Sequence, residues 1–206
     1  RGYDVVQVTN PVFFDLRPEK NWAIFKYLKK HNKKIFLDAL AIDHYYVKAC
    51  LDGKTFRYSD FFVGDRPLPH PEREKMLAAW IGGPNERPNI EMAQEANGII
   101  ACLYEYYAAY QPEYADKLAY IPIPIDLSIN PFHPIKSTPE VVKFFIGIQQ
   151  HRTAIKGTDI LLDVLREIHD KYPRESHIQK VVSVPFDEYN KLLVDCHILL
   201  DQLYSY

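Results

Sequence analysis

Residues 144–173 read FFIGIQQHRTAIKGTDILLDVLREIHDKYP, and their reading decides the fold. A short apolar strand (Phe144, Phe145, Ile146) runs into Gly147 and then into a polar loop carrying Gln149, Gln150, His151, Arg152 and Lys156. After Lys156-Gly157, the pair Thr158-Asp159 offers an N-cap. The apolar residues Leu161, Val164, Leu165 and Ile168 then recur at three- and four-residue spacing, which predicts a helix. Strand, cationic loop and helix N-terminus in succession are how an α/β protein builds an anion site. The first-turn amides are unpaired, the helix dipole favours negative charge, and Arg or Lys completes the cradle. The plainer alternative is that Arg152 and Lys156 are solvated loop cations.

Working outward, Gly147, the run 156–162 (KGTDILL) and Lys171-Tyr172-Pro173 resemble the start of the second domain of GT-B glycosyltransferases. Within that fold they are most similar to the retaining family 4, the "glycosyl transferases group 1" set. The resemblance continues through residues 184–189 (VPFDEY) and ends in residues 195–202 (DCHILLDQ). It implies that Gly147, Arg152, Lys156 and Gly157 hold the diphosphate of a UDP- or GDP-linked sugar, with no cofactor and no metal. The resemblance also implies a Glu-x7-Glu element beyond Tyr206, and Gln202, Tyr204 and Ser205 stand where Pro-Ser is usual. On this reading the chain is expected to be cut at both ends.

Elsewhere the sequence alternates strand and helix signals. Residues 3–9 (YDVVQVT) are a continuous apolar run, expected to be a fully buried parallel strand. Residues 21–31 are expected to be a helix presenting Trp22, Phe25 and Leu28, and residues 34–40 the next strand, closing a βαβ unit. That strand ends at Asp43-His44, and in open α/β sheets ligands bind at strand carboxyl ends. The family resemblance makes Asp43 and His44 the catalytic, acceptor-side candidates. The competing reading has His44 packing with Tyr45 and Tyr46 while Asp43 caps the following helix.

Asp52-Gly53-Lys54 reads as a turn, and residues 72–81 as a helix stopped at Gly82-Gly83. Tyr58, Phe61, Phe62 and Trp80 read as packing residues rather than a sugar platform. Asn89 is expected to cap a helix over 90–96, and Asn97-Gly98 to end it in a left-handed turn before a strand over 98–103. A helix over 104–110, a short helix over 113–116 and the proline clusters at 122–124 and 131–134 follow. A strand near 178–182, a helix over 186–195 and a strand over 197–200 complete the pattern.

The fold class expected is therefore α/β, with two Rossmann-like (GT-B) lobes joined by a Pro-rich hinge. Residues 1–121 are expected to form the acceptor-side domain, 122–139 the hinge, and 140–206 the first half of a nucleotide-sugar domain.

Composition bounds the function. Twenty-five Lys and Arg against 27 Asp and Glu give a net charge of -2, which makes no case for nucleic-acid binding. The run Lys26, Lys29, Lys30, Lys33, Lys34 reads as a solvated helix face or, alternatively, a peripheral membrane contact. Cys50, Cys102 and Cys196 are spread and odd in number, which argues for reduced, packed thiols and a cytoplasmic setting. The expected partners are a nucleotide sugar and a glycan or lipid-linked acceptor. Two other classes remain open at this stage: a non-catalytic two-lobed ligand-binding module, and a nucleotide-sugar epimerase of related fold.

Overall fold

The computed structural model describes residues 2–68, 72–126, 128, 137–150, 152–194 and 196–204. In chain order, the elements up to residue 80 are β1 (Val5–Val8), α1 (Pro18–His31), β2 (Lys34–Ala39), α2 (His44–Leu51), β3 (Phe62–Val63), β4 (Arg66–Pro67) and α3 (Arg73–Trp80). Then come α4 (Glu86–Glu95), β5 (Gly98–Ala101), α5 (Tyr104–Tyr114), β6 (Leu118–Tyr120), β7 (Val142–Ile148) and α6 (Thr153–Lys156). The last are α7 (Thr158–Lys171), β8 (Ser176–Val182), α8 (Phe186–Leu193) and β9 (Ile198–Leu200). The chain is α/β, with parallel sheets flanked by helices. It divides into two compact units, Arg1–Arg57 with Glu72–Ile125, and Tyr58–Pro71 with Asp126–Tyr206. Residues 58–71, which the sequence places with the first unit, group with the second. The hinge candidates Asn130, Pro131, Phe132, His133 and Pro134 lie outside the described residues.

The first unit carries a parallel sheet in the order β1-β2-β5-β6. Its core follows from alternation along β2, where Ile35, Leu37 and Ala39 are fully buried while Lys34 is exposed. The same alternation corrects the reading of residues 3–9. β1 is an edge strand with Val5 54% exposed, because the side chains that alternate away from the core meet no covering layer there. Helix α1 starts at Pro18, whose missing N–H costs nothing in a first turn. It buries Phe25, with Trp22 and Leu28 half-buried. Of the basic run, Lys29 pairs with Glu95 and Lys33 with Asp4.

Three further expectations are corrected in this unit. Helix α4 begins at Glu86, a turn early, so Asn89 is inside it; the buried side chain accepts from the His44 amide and donates to the Tyr110 hydroxyl. Asn97-Gly98 makes no left-handed turn. Asn97 instead accepts from the Ile35 amide and Gly98 begins β5, where a Cβ would lie 2.6 Å from the Phe36 ring. The two short helices expected over 104–116 are one helix, α5, which runs through Pro112. Its buried residues Tyr106, Ala109, Tyr110 and Tyr114 supply the packing that outweighs the proline's lost hydrogen bond.

The second unit carries a parallel sheet in the order β8-β7-β9. The connection β7-α7-β8 places β8 on one side of β7, and β8-α8-β9 returns to the other. The direction of winding thus reverses at β7, between its carboxyl end and that of β9. Gly147 is not a turn residue: β7 runs on to Ile148, and Gly147 pairs with Val181 within the ladder. The loop after it is also more ordered than expected, since residues 153–156 form the single turn α6. Gly157, at φ +64°, is both the C-cap of α6 and the N-cap of α7, so Thr158 falls inside the first turn and is fully buried. Along α7, Leu165 is buried and Leu161 and Ile168 half-buried, whereas Val164 faces solvent at 45% exposure.

Candidate functional site

In a doubly wound parallel sheet, ligands sit outside the carboxyl ends of the strands at the point where winding reverses. At that point in the second unit there is a cavity of about 160 Å³. Gly147 and Ile148 come to it from the end of β7, Val181 from β8, Lys156 from α6, Tyr189 from α8 and Asp201 from just beyond β9. Gln149, Ser183 and Val184 complete the lining.

Lys156 dominates its electrostatics. The residue is 8% exposed, and its Nζ donates to Asp201 Oδ1 at 2.9 Å. Its backbone is tied at both ends, the amide donating to Arg152 O at 2.9 Å and the carbonyl accepting from the Leu203 amide at 2.8 Å. The chain beyond β9 is therefore laid across α6, which is why Asp201 arrives beside the ammonium although 45 positions separate them. Gly157 makes the crossing possible. Besides its positive φ, a Cβ there would stand 2.9 Å from Leu203 Cβ.

Gly147 serves the cavity by being small. A Cβ on it would meet Tyr189 Cε2 at 2.8 Å, so its bare backbone lets the tyrosine ring lie against the strand, edge-on to Phe145 at 5.1 Å. Burial, and secondarily the Asp201 charge, push the Tyr189 phenol above its ordinary value. Ser183, at φ +46°, is the one non-glycine residue among those described with a positive φ. Its amide donates to Ile148 O at 3.1 Å and its Oγ accepts from the Gln150 amide at 3.1 Å, which hold the strained turn in place. Strained backbone of this kind costs on the order of 1–3 kcal/mol and clusters at ligand sites.

Four donor-site candidates were legible in the sequence. Gly147 and Lys156 line the cavity; Gly157 shapes it from behind. Arg152 is the N-cap of α6 and half-buried, and is not among the lining residues. His151 lies outside the described residues. Tyr189, Ser183 and Asp201 had no assigned role, because no local spacing connects them to Lys156. Only the strand order does.

Asp43 and His44 occupy a different environment within the first unit. Asp43 is wholly buried and caps α2, accepting from the Tyr46 amide at 2.9 Å and from the Tyr110 hydroxyl at 2.7 Å. Burial pushes its carboxyl up to about 6, against the opposing effect of those two hydrogen bonds and the neighbouring His44. His44 Nδ1 lies 2.9 Å from the Trp80 carbonyl oxygen, and its ring meets Tyr45 edge-on at 5.1 Å. Tyr45 in turn hydrogen-bonds Tyr114, oxygen to oxygen, at 2.6 Å. In this geometry the pair acts as cap and packing group, with His44 7% exposed.

Cys50 and Cys102 are buried and Cys196 is half-buried, and none of the three is in a disulfide. Among the described residues, no helix is long and apolar enough to cross a membrane. No family model, no curated protein and no solved structure matches this chain.

Proposed function

We propose that the chain is a glycosyltransferase that moves a hexosyl group from a UDP- or GDP-linked sugar to a glycan or glycolipid acceptor, with retention at the anomeric carbon. The observation that carries this reading is the nearly buried Lys156 ammonium lining the cavity where the second sheet reverses its winding. A fixed cation there can neutralise a leaving diphosphate as charge develops on it, the largest contribution such a site can preorganise. The cavity is smaller than the roughly 300–1,000 Å³ of sites that enclose a whole small molecule. It suits the diphosphate alone, with sugar and nucleoside extending beyond it. Tyr189 and the Ser183 turn supply polar groups beside that position. The setting that goes with this reading is the cytoplasm, with a peripheral contact at a membrane face.

Calorimetric titration of UDP and of GDP into the protein and into Lys156→Met tests it. Saturable binding of one nucleotide, weakened about tenfold or more in the variant (~1.4 kcal/mol), is the expected result. Absence of binding by both nucleotides rejects the reading.

A second reading has its own support. Asp43 and His44 are spent on capping and packing, which removes the two acid–base candidates and favours a module that binds a nucleotide sugar without turning it over. Release of UDP or GDP from the matching nucleotide sugar, with and without oligosaccharide acceptors, separates the two.

A further inference from the structure

The Lys156–Asp201 pair is lopsided. The lysine side chain is 10% exposed and the aspartate side chain 58%. An ammonium carries three N–H donors, and Asp201 Oδ1 is the one protein acceptor that Lys156 Nζ has among the described residues. Two donors of a nine-tenths buried cation therefore remain beside the cavity that the residue lines. A buried charge must keep a partner, since removing its only one leaves it uncompensated. A mostly exposed aspartate, by contrast, gives up little on returning to water. The pair is built so that one member is fixed and the other exchangeable.

We infer that Asp201 is a resident counter-ion that an incoming polyanion displaces from Lys156, so that it acts as an inbuilt competitor of the ligand. A diphosphate satisfies the two idle donors along with the third, which one carboxylate oxygen cannot do. While Asp201 stays in place it repels the same ligand across the cavity they share. Asp201 holds its position through β9 and the Leu203 amide bond to the Lys156 carbonyl, and the exchange requires rotation of one exposed side chain rather than movement of the strand. The device rests on the anion-site reading of Lys156, and it assigns Asp201 the setting of affinity, a role in regulation rather than in chemistry.

Titration of inorganic pyrophosphate, UDP and GDP into the protein, Asp201→Asn, and the double variant Asp201→Asn with Lys156→Met tests it, with circular dichroism checking that each folds. The inference expects Asp201→Asn to bind pyrophosphate about tenfold more tightly than the unaltered chain, and the double variant to lose that gain. Equal or weaker binding by Asp201→Asn overturns it, and so does a gain that survives the loss of Lys156. If UDP binds the unaltered protein through Lys156 while Asp201→Asn gains nothing, the counter-ion idea falls and the nucleotide reading stands. If pyrophosphate gains through Lys156 but UDP and GDP bind no chain, the counter-ion idea stands and the nucleotide reading falls. Silence from every chain toward every probe rejects both.

Discussion

Both units end parallel strands on polar residues, yet the two strand ends do opposite things with them. In the first, Asp43 is wholly enclosed and every one of its oxygens has a donor, Tyr46 N–H on one side and Tyr110 O–H on the other. In the second, Lys156 is enclosed nearly as well but its ammonium has, among the described residues, a single partner that is itself half in water. Burial pushes the Asp43 carboxyl up to about 6. A shifted titration marks functional sites only as a tendency, because structural networks shift groups as well. Access and unspent hydrogen-bonding capacity separate the two ends, and both favour the second.

That contrast can be broken by mutation. Asp43→Ala strands the Tyr110 hydroxyl and the α2 cap in a dry interior, and we expect a loss of about 3–4 kcal/mol in denaturant unfolding. Nucleotide binding by the surviving folded protein should be unchanged. A loss below about 1 kcal/mol would mean that water replaces the carboxylate and that the strand end is open after all.

Acidity gives the next largest effect. Because Asp43 titrates higher in the folded chain than its ordinary 3.8, the folded state holds its proton more firmly. Its contribution is present in full below about pH 4 and is lost as pH rises through about 6, a change on the order of 2–3 kcal/mol. Unfolding midpoints measured across that range should fall for the unaltered protein and flatten at this step in Asp43→Asn. An unchanged slope in the variant would show that the carboxyl is not the source.

Gly157→Ala comes next, at about 1–2 kcal/mol. A left-handed backbone is unfavourable for a side chain, and the added Cβ presses on Leu203. Its sharper readout is pyrophosphate affinity, which should tighten, because the displaced segment carries the competing Asp201 away from Lys156. The smallest effect belongs to Asp201→Asn, about 1 kcal/mol of stability at most, since the asparagine oxygen still accepts from Lys156 Nζ and the charge lost is that of a mostly exposed group. Binding should move much further than stability in that variant. Were unfolding to respond more than binding, the pair would be a structural bridge like the one around Asp43.

Much of the scaffold was legible in the chain. The apolar runs of β2, β5 and β7 and the spacing in α1 and α7 identify these elements through local periodicity alone. The failures have physical reasons too. Asn89 looks like a cap because asparagine favours caps, but the buried amide is worth more bridging His44 and Tyr110. Pro112 looks like a break, yet α5 is held by what it packs on. Gly147 looks like a phosphate turn, while its use is to admit the Tyr189 ring.

The sequence by itself determined the α/β class, most of the strands and helices, and Arg152 and Lys156 as the cations to watch. Those follow from local periodicity and from residue chemistry, which a linear chain displays. Only the tertiary structure decided which polar residues stay reachable. Asp43 and Lys156 each follow a strand in the chain, and nothing local distinguishes them. Burial by α4 and α5 seals one, while the return of β9 to the far side of β7 sets Asp201 and an open cavity beside the other. That difference is a property of strand order and long-range packing, to which neighbouring residues carry no signal.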